Sequence, residues 1–231
     1  MSGTRKLVIF GGGEIATLAR FYFTHDSDFD VAAYVVDDNQ VASDQLDGLP
    51  LVGFGTALRR YPPGEYAMFV ALSYRRLNRN RQEKFEMARQ AGYELPSYVC
   101  SKSVTWPDLT VGANCLILEN QTIQPGVVIG DNVMVWSGNH LGHGCRLADH
   151  VYLASHVVLS GHCEIGQRSF LGVNATVRDF AKVGEDSFIA MDASVTGDVP
   201  AGSVVLGAQG TVFTPDTRQA RMLKKKYFGL D

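Results

Sequence analysis

The chain has 231 residues, of which 45% are hydrophobic and 19% are charged. This length and apolar content allow one large domain or two small ones with a substantial core. A formal net charge of -3 gives no positive field that would attract nucleic acid or an anionic membrane, and no apolar run approaches the ~20 residues of a membrane span. We therefore expect neither nucleic acid nor a membrane as a partner.

The four cysteines show neither CxxC pairs nor the spacing of zinc ligands. They are Cys100, Cys115, Cys145 and Cys163. We expect buried thiols in a reducing, cytoplasmic setting, and no metal.

The first hundred residues alternate short apolar runs with helical patterns. Lys6 to Phe10 is an apolar run that ends in three glycines, Gly11, Gly12 and Gly13, and a helical pattern follows over residues 14–23. Further strand-like runs lie at residues 31–36, 51–53, 68–72 and 97–100, and a helix is predicted over residues 79–91. Strand, glycine-rich turn, helix and strand form a βαβ unit, so residues 1–100 are predicted to be a Rossmann-like domain with a small parallel sheet.

The glycine-rich turn allows two interpretations. Such turns let backbone N–H groups approach a phosphate at a helix N-terminus. The sequence here is GGGEIA, which is not the dinucleotide fingerprint GxGxxG, and Glu14 places a negative charge close to where a phosphate would lie. A tight structural turn and a nucleotide site both remain open.

From residue 111 the sequence repeats with a period of six. Every sixth position is aliphatic, and the series is Val111, Ile117, Ile123, Ile129, Val135, Leu141, Leu147, Leu153, Leu159, Ile165, Leu171, Val177, Val183, Ile189 and Val195. The next residue is often Gly or Ala, and the fourth residue after each aliphatic one is mostly small. Three hexapeptides make an 18-residue triangular coil whose aliphatic residues stack inside. We predict a β-helix over residues 101–214, capped by the N-terminal domain and by a C-terminal helix over residues 215–231.

Five of the six histidines fall within 23 residues of this repeat. They are His140, His143, His150, His156 and His162. The coil length places Gly161 beside His143, which predicts room there for a slender ligand. Acyl transfer from a thioester needs a base and N–H donors for the oxyanion, and histidine suits the first task. His150 and His156 are expected at the surface or at an interface.

The segment NHLGHGC (Asn139 to Cys145), followed by SGH (Ser160 to His162), resembles the active-site region of bacterial hexapeptide acyltransferases. Over nearly the whole chain the sequence is similar to the sialic-acid O-acetyltransferase family and to the N-acetyltransferases of nucleotide-linked amino sugars, such as the bacillosamine-pathway enzyme. These proteins place a Rossmann-like domain before a left-handed β-helix. The resemblance implies an acetyl-CoA-dependent N-acetyltransferase of surface-glycan (lipopolysaccharide or O-antigen) synthesis, assembled as a homotrimer with CoA between adjacent β-helices.

The resemblance also implies roles for individual residues. It assigns His143 as the general base, with His140 supporting it. For CoA it implies Gly161, His162, Gly172, Gly207 and Ala208. For the nucleotide sugar it implies Gly11, Gly12, Gly13, Asp37 and Asp38. Donors in the segment Ser73 to Arg81, namely Ser73, Arg75, Arg76, Asn78 and Arg81, could hold a phosphate or sugar or could form an exposed helix start. Lys224 to Lys226 could meet CoA phosphates or form a solvated face.

Two departures from the family pattern stand out. The residue after the catalytic histidine is commonly acidic and orients it, whereas here it is Gly144, so the orienting group must come from elsewhere. The first turn often carries Gly-His, where this chain has Glu14-Ile15. Three alternatives stay open: O-acetylation of a sugar such as sialic acid, a non-catalytic sugar-nucleotide-binding protein, and a zinc β-helix like the γ-carbonic anhydrases.

Overall fold

The computed structural model describes residues 5–230. Residues 1–4 and 231, the outer ends of the predicted N-terminal domain and C-terminal helix, lie outside this range. The first part of the chain forms β1 (Arg5–Phe10), α1 (Glu14–His25), β2 (Phe29–Val36), a 3-10 turn (Asp38–Gln40), β3 (Gln45–Leu46), β4 (Leu49–Gly53), α2 (Phe54–Arg60), β5 (Ala67–Val70) and α3 (Arg79–Gln90).

The N-terminal sheet has the strand order β3-β4-β2-β1-β5. Strands β4, β2, β1 and β5 are parallel, as predicted. Strand β3, which the sequence did not indicate, pairs antiparallel with β4 and makes the sheet mixed. The reason is the dipeptide Asp47-Gly48, which has positive φ at both residues (48° and 77°) and closes a two-residue hairpin.

The second part of the chain is a β-helix of two-residue strands. These are β6 (Tyr98–Val99), β7 (Thr110–Val111), β8 (Leu116–Ile117), β9 (Thr122–Ile123), β10 (Val128–Ile129), β11 (Met134–Val135), β12 (His140–Leu141), β13 (Arg146–Leu147), β14 (Tyr152–Leu153), β15 (Val158–Leu159), β16 (Glu164–Ile165), β17 (Phe170–Leu171), β18 (Thr176–Val177), β19 (Lys182–Val183), β20 (Phe188–Ile189), β21 (Ser194–Val195) and β22 (Val204–Val205). They form three parallel sheets with partners 18 residues apart, except between β20 and β22, where Phe188 pairs with Val204.

The three sheets are the three faces of a prism. Face A contains β7, β10, β13, β16 and β19; face B contains β6, β8, β11, β14, β17, β20 and β22; face C contains β9, β12, β15, β18 and β21. The chain runs from A to B to C in each coil, so corner A/B includes Asn132, corner B/C includes Gly138 and corner C/A includes Gly144. The predicted left-handed β-helix fold behind an α/β domain is confirmed.

The six-residue period has a direct structural cause. All but the first of the fifteen aliphatic residues are buried inside the prism, as are the residues four positions later from Cys115 to Ala193. Glycine is favoured directly after the aliphatic residue because a Cβ at Gly142 would lie 2.6 Å from the carbonyl carbon of Ser160 in the next coil. A third position, at the corner, has positive φ in each hexapeptide from Asn114 to Asp192. Asn, Gly and His fill it most often, because these residues tolerate the left-handed region best.

The N-terminal domain packs on face B. Helix α1 contributes Ala16, Ala19 and Phe23 to one apolar cluster with outward side chains of that face, such as Met134 and Tyr152. Helices α2 and α3 cover the other side of the sheet. Because β6 already belongs to face B, the β-helix begins at Tyr98. The division into domains at residues 100 and 214 remains a prediction.

Arg81 joins α3 to corner A/B. Its side chain is fully buried and donates hydrogen bonds to the carbonyl oxygens of Asn132 (3.1 Å) and His150 (3.1 Å), and to Asn78 Oδ1 (3.0 Å). Burial lowers the pKa of Arg81 to about 10. Asn78 is also buried and donates to the Arg168 carbonyl (2.8 Å). Neither side chain is available to a phosphate or sugar, so these two candidates are wrong.

His150 lies in the same joint, buried between α3 and the prism, so the prediction of a surface position is wrong. It occupies the left-handed corner position (φ 64°), is only 4% exposed, and its Nδ1 faces Asn132 Nδ2 at 2.9 Å. Burial, with the nearby charge of Arg81 as a second cause, lowers the pKa of His150 to about 4. The neutral ring is therefore part of the domain joint.

After β22 the chain leaves the prism and ends in α4 (Arg218–Phe228). The helix begins after Thr217, whose Oγ1 accepts a hydrogen bond from the Ala220 N–H (3.2 Å), and it ends at Gly229 in the left-handed conformation. Lys224, Lys225 and Lys226 are exposed on it. The predicted C-terminal helix is confirmed, with shorter bounds than residues 215–231.

Candidate active site

His143 lies at corner C/A, directly after β12 and Gly142. Its side chain is exposed, whereas the flanking Leu141 and Cys145 point into the prism and are fully buried. The hexapeptide pattern therefore fixes the backbone on both sides of an imidazole that faces outwards. Rigid support of this kind suits a catalytic group.

The imidazole of His143 lies over the backbone of Gly161 in the next coil. A Cβ atom at residue 161 would lie 2.6 Å from His143 Cε1 and 2.8 Å from Nε2. The room predicted for a ligand beside Gly161 is thus filled by the histidine ring itself. The assignment of Gly161 to the CoA groove remains a prediction. Independently of CoA, a glycine is needed at this position because a Cβ would collide with the His143 ring.

Two further aromatic rings continue along corner C/A. The ring of His162 meets the ring of His143 edge-on, with centroids 4.9 Å apart. Phe180, one coil further, stacks on His162 at 5.2 Å and is 65% exposed. The corner therefore presents a continuous stripe of His143, His162 and Phe180 to the outside.

Gln124 contacts both the backbone and the ring of His143, and the sequence did not single it out. It follows β9, one coil before His143. Its Oε1 accepts a hydrogen bond from the His143 backbone N–H (2.8 Å) and lies 3.2 Å from His143 Nδ1. The coil length of 18 would have pointed to this residue, because His143 lies beside Pro125 one coil earlier.

His140 lies on flat face C and not at the corner. It is the outward residue of β12, between Thr122 of β9 and Val158 of β15. Its side chain is half-buried. Its predicted supporting role remains a prediction.

The other CoA candidates lie at a different corner. Gly172 follows β17 on face B, and a Cβ there would lie 2.6 Å from the Met191 backbone nitrogen. Gly207 packs against Met191 from the following coil, and a Cβ there would lie 2.3 Å from the Met191 carbonyl oxygen. The next residue, Ala208, is exposed. All three therefore lie at or near corner B/C, across face C from Gly161 and His162.

The substrate candidates gather at the carboxyl edge of the N-terminal sheet. Gly11 has a φ of 148°, and a Cβ there would lie 2.6 Å from the Ala71 carbonyl oxygen, so packing alone requires glycine. A Cβ on Gly12 would lie 3.1 Å from Val36 Cγ1, whereas the space around Gly13 is open. Gly13 is also the N-cap of α1, which has no side-chain cap. The first turn of α1 is therefore sterically open over Gly13, although Glu14 adds an exposed negative charge to the same turn.

Both aspartates at this edge already have partners in the protein. Asp37 forms an ion pair with Lys84 of α3, and Asp38 Oδ1 accepts a hydrogen bond from the Gly55 N–H (3.0 Å). Ser73 is half-buried and Arg75 is exposed just after β5. Arg76 pairs with Glu83 (3.0 Å). The roles of these residues in substrate binding remain predictions.

One chain does not bring the two groups of candidates together. The N-terminal domain contacts face B, corner A/B through Arg81, and corner B/C through the Tyr22–Glu119 hydrogen bond (2.5 Å). Across residues 5–230, no hydrogen bond or ion pair links residues of this domain to corner C/A. His143 thus lies on the side of the prism away from the glycine-rich turn of its own chain.

The described part of the chain contains neither a metal-binding cluster nor a membrane-spanning helix. Between residues 5 and 230, no cluster of three or more His, Cys, Asp or Glu side chains could hold a metal ion. In the same range, no helix has both the length and the apolar character needed to cross a membrane.

Comparisons with known proteins agree with this architecture. Residues 126–161 match the bacterial transferase hexapeptide, and residues 108–141 and 164–196 match the hexapeptide repeat of succinyl-transferase. No protein with a curated description is similar enough in sequence to count as a relative.

Several solved structures share the whole architecture. The chain is similar to PerB from Caulobacter crescentus, solved with CoA and GDP-perosamine: 27% identity, TM-score 0.75, covering 87% of this chain and 97% of that one. The acetyltransferase domain of PglB from Neisseria gonorrhoeae, solved with acetyl coenzyme A, has 24% identity and a TM-score of 0.78, covering 89% and 100%. WeeI from Acinetobacter baumannii has 19% identity and a TM-score of 0.67, covering 88% and 97%. The chain is therefore an acyltransferase of the hexapeptide-repeat type.

Proposed function

We propose that this protein transfers the acetyl group of acetyl-CoA to the amine of a nucleotide-linked amino sugar, with His143 as the general base. The observation that carries the proposal is the exposed imidazole of His143, held over Gly161 and contacted by Gln124. The structures of PerB with CoA and GDP-perosamine and of PglB with acetyl coenzyme A support the choice of donor and acceptor.

The chemistry needs one base at one position. The sugar nitrogen attacks the thioester carbonyl, His143 takes a proton from that nitrogen, and the C–S bond breaks as the tetrahedral intermediate collapses. The imidazolium then returns the proton to the CoA thiolate, so atoms and charges balance. General base catalysis of this kind contributes about 10²- to 10⁴-fold to the rate.

The N-terminal domain supplies the reason for a nucleotide-linked acceptor. The open space at Gly13 and the uncapped first turn of α1 suit the phosphates of a nucleotide sugar. A free sugar such as sialic acid would make no use of this edge. O-acetylation of such a sugar is the second candidate, because the same base would serve a hydroxyl.

We further propose that three copies form a homotrimer in which face C of each copy lies near the threefold axis. Corner C/A of one copy then meets corner B/C of the next. This arrangement brings Gly172, Gly207 and the neighbouring N-terminal domain towards His143, which one chain alone does not do. CoA would lie between adjacent prisms. We place the reaction in the cytoplasm, in the synthesis of a surface glycan.

A thiol-release assay tests the activity. Purified protein is incubated with acetyl-CoA and a panel of UDP-, dTDP- and GDP-linked 3-amino and 4-amino sugars, with free sialic acid alongside. We expect turnover with one amino sugar nucleotide. Turnover with sialic acid alone would move the proposal to O-acetylation, and failure to bind acetyl-CoA would refute the transferase function.

The His143→Ala variant tests the base. Turnover should fall by about 10²-fold or more while acetyl-CoA binding is retained. His25→Ala, which removes an exposed histidine at the end of α1, is the matched control and should keep full turnover. A non-catalytic sugar-nucleotide-binding protein would show no turnover to lose, and unchanged turnover in His143→Ala would remove this residue from its role.

A further inference from the structure

We infer that Gln124 is the positioning residue of His143 and fixes the tautomer in which Nδ1 carries the proton. This inference deepens the proposed function and rests on His143 being the base. It answers the question raised by Gly144, which stands where an orienting carboxylate is expected.

The orientation of the Gln124 amide follows from the backbone. The atom of the amide that faces the His143 backbone nitrogen lies 2.8 Å from it. A backbone N–H can only donate, so the amide must present its oxygen there, since its NH₂ group would place two donors face to face. The usual ambiguity between the O and N of a glutamine is thereby removed at this site.

The tautomer of His143 follows from the amide. The same Oε1 lies 3.2 Å from His143 Nδ1. An amide oxygen has two lone pairs and accepts a second hydrogen bond, so Nδ1 must be the donor. In the neutral ring the lone pair is then on Nε2, which leaves that nitrogen free to accept a proton.

The position of Gln124 is set by the coil and not by a flexible loop. Ile123 pairs with Leu141 across β9 and β12, and the Gln124 backbone N–H donates to the Leu141 carbonyl at 2.9 Å. Gly161 confines the ring from the other side. The imidazole is therefore held between Gln124 on one coil and bare backbone on the next.

An amide differs from a carboxylate because it carries no charge. In the coil register, the charged and titratable groups nearest to His143 are His162 one coil on, Arg178 and Asp179 two coils on, Asp108 two coils before, and His140 and Arg146 on the flanking strands. Asp108 already accepts a hydrogen bond from the Gly126 N–H (2.7 Å), and Asp179 lies 4.0 Å from Arg178. Gln124 is thus the group that contacts Nδ1, and it orients the base without adding a negative charge.

Nitrogen-15 NMR of histidine-labelled protein reads the tautomer without any substrate. At about pH 8.5 an ordinary imidazole is neutral, and His143→Ala assigns the signal of residue 143. We expect Nδ1 to be protonated in the wild type and this preference to be lost in Gln124→Leu. Protonation of Nε2 in the wild type, or an unchanged tautomer in Gln124→Leu, would overturn the inference.

Kinetics supply the second test. Gln124→Leu should lower kcat roughly tenfold or more with little change in the KM for acetyl-CoA. Gln124→Glu keeps the acceptor and should retain most of the turnover, but its charge should move the acidic limb of the pH–rate profile about one unit upwards. The control Gln90→Glu adds the same charge on an exposed position of α3 and should leave the limb in place.

These outcomes separate two failures. If the wild type transfers no acetyl group but Nδ1 is protonated and loses this preference in Gln124→Leu, the positioning holds and the proposed function fails. If the wild type is active and neither Gln124 variant changes kcat or the pH profile, the proposed function stands and the positioning role is refuted.

Discussion

Gly161 shows how a single missing side chain shapes the candidate active site. The backbone at this residue has no unusual conformation, but the His143 ring occupies the space where a Cβ would stand. The glycine is therefore needed for the position of its neighbour and not for its own φ. At Gly144 both reasons apply, because its φ is 67° and a Cβ there would also lie 2.5 Å from His162 Nδ1.

Gly161→Ala should displace the His143 ring without unfolding the coil. We expect kcat to fall roughly tenfold or more, because a misplaced base loses much of its contribution, while the Tm changes by only a few degrees. Gly197→Ala is the control, since a Cβ there meets no atom within 4 Å, and it should keep both activity and Tm. Equal activity of the two variants would contradict the packing argument.

His150 makes stability depend on pH. Its pKa is about 4 in the folded protein, below the ordinary value of 6.5, so the unfolded chain binds more protons between these values. Stability is thus complete above pH 6.5 and falls as the pH drops towards 4, by up to about 3 kcal/mol. Urea unfolding at several pH values measures this loss.

His150→Asn is the matched variant for that measurement. Asparagine holds the equivalent corner position at Asn114 and Asn132 with the same positive φ, so the substitution suits the backbone. We expect a flatter dependence of the unfolding free energy on pH between about 6.5 and 4 than in the wild type. Identical slopes for both proteins would show that another group titrates.

At the scale of elements, α3 is attached to the prism by a buried charge without a carboxylate partner. Arg81 satisfies carbonyl groups of corner A/B that its removal would leave buried and unpaired. We expect Arg81→Met to lower the free energy of unfolding by roughly 2 to 4 kcal/mol. Chemical denaturation of the purified variant measures the loss.

Arg79→Met is the comparison within the same helix. Arg79 pairs with Asp186 at 2.9 Å, but its side chain is 42% exposed, and such pairs contribute about 1 kcal/mol or less. A similar cost for both substitutions would mean that burial is not what makes Arg81 important.

The sequence predicts these elements unequally, for physical reasons. The β-helix can be predicted from the sequence because each aliphatic residue stacks on another one coil away, and the same six-residue period applies on all three faces. The hairpin of β3 and β4 is signalled only by Asp47-Gly48. His150 and Arg81 were misjudged because their surroundings come from packing between α3 and the prism, which no local pattern records.

The partner of His143 was missed for a related reason. The family resemblance pointed to the next residue, Gly144, whereas neighbours in a solenoid are about 18 residues apart. Gln124 is 19 residues before His143. A comparison of His143 with the residues about 18 positions earlier, at the same corner of the preceding coil, would have suggested Gln124.

At the scale of the whole molecule, the proposed site requires two chains. Gly13→Asp should leave the fold intact, because the space there is open and Asp is a good N-cap, but its charge should repel a phosphate and raise the KM for the nucleotide sugar. The thiol-release assay gives this KM. An unchanged KM would place the nucleotide elsewhere.

Mixed trimers test the sharing of the site. His143→Ala impairs the catalytic part of the site, and Gly13→Asp impairs the nucleotide-binding part. Co-refolding equal amounts of both chains should restore about a quarter of the wild-type activity. The reason is that, with random assembly, an interface combines an intact His143 with an intact Gly13 about one time in four. Light scattering verifies the mass of the mixed assembly. If both halves came from one chain, mixing would restore nothing.

The 18-residue coil has a consequence for how such chains tolerate length changes. Inserting one hexapeptide between the α/β domain and His143 would preserve every aliphatic stack, because all hexapeptides are equivalent inside the prism. It would nevertheless rotate the catalytic corner by a third of a turn relative to that domain. Only insertions of whole coils keep the rotational phase, and each moves the corner along the axis by one strand spacing of about 4.8 Å. The number of residues before the catalytic histidine thus sets both the rotation of its corner about the prism axis and the position of that corner along the axis.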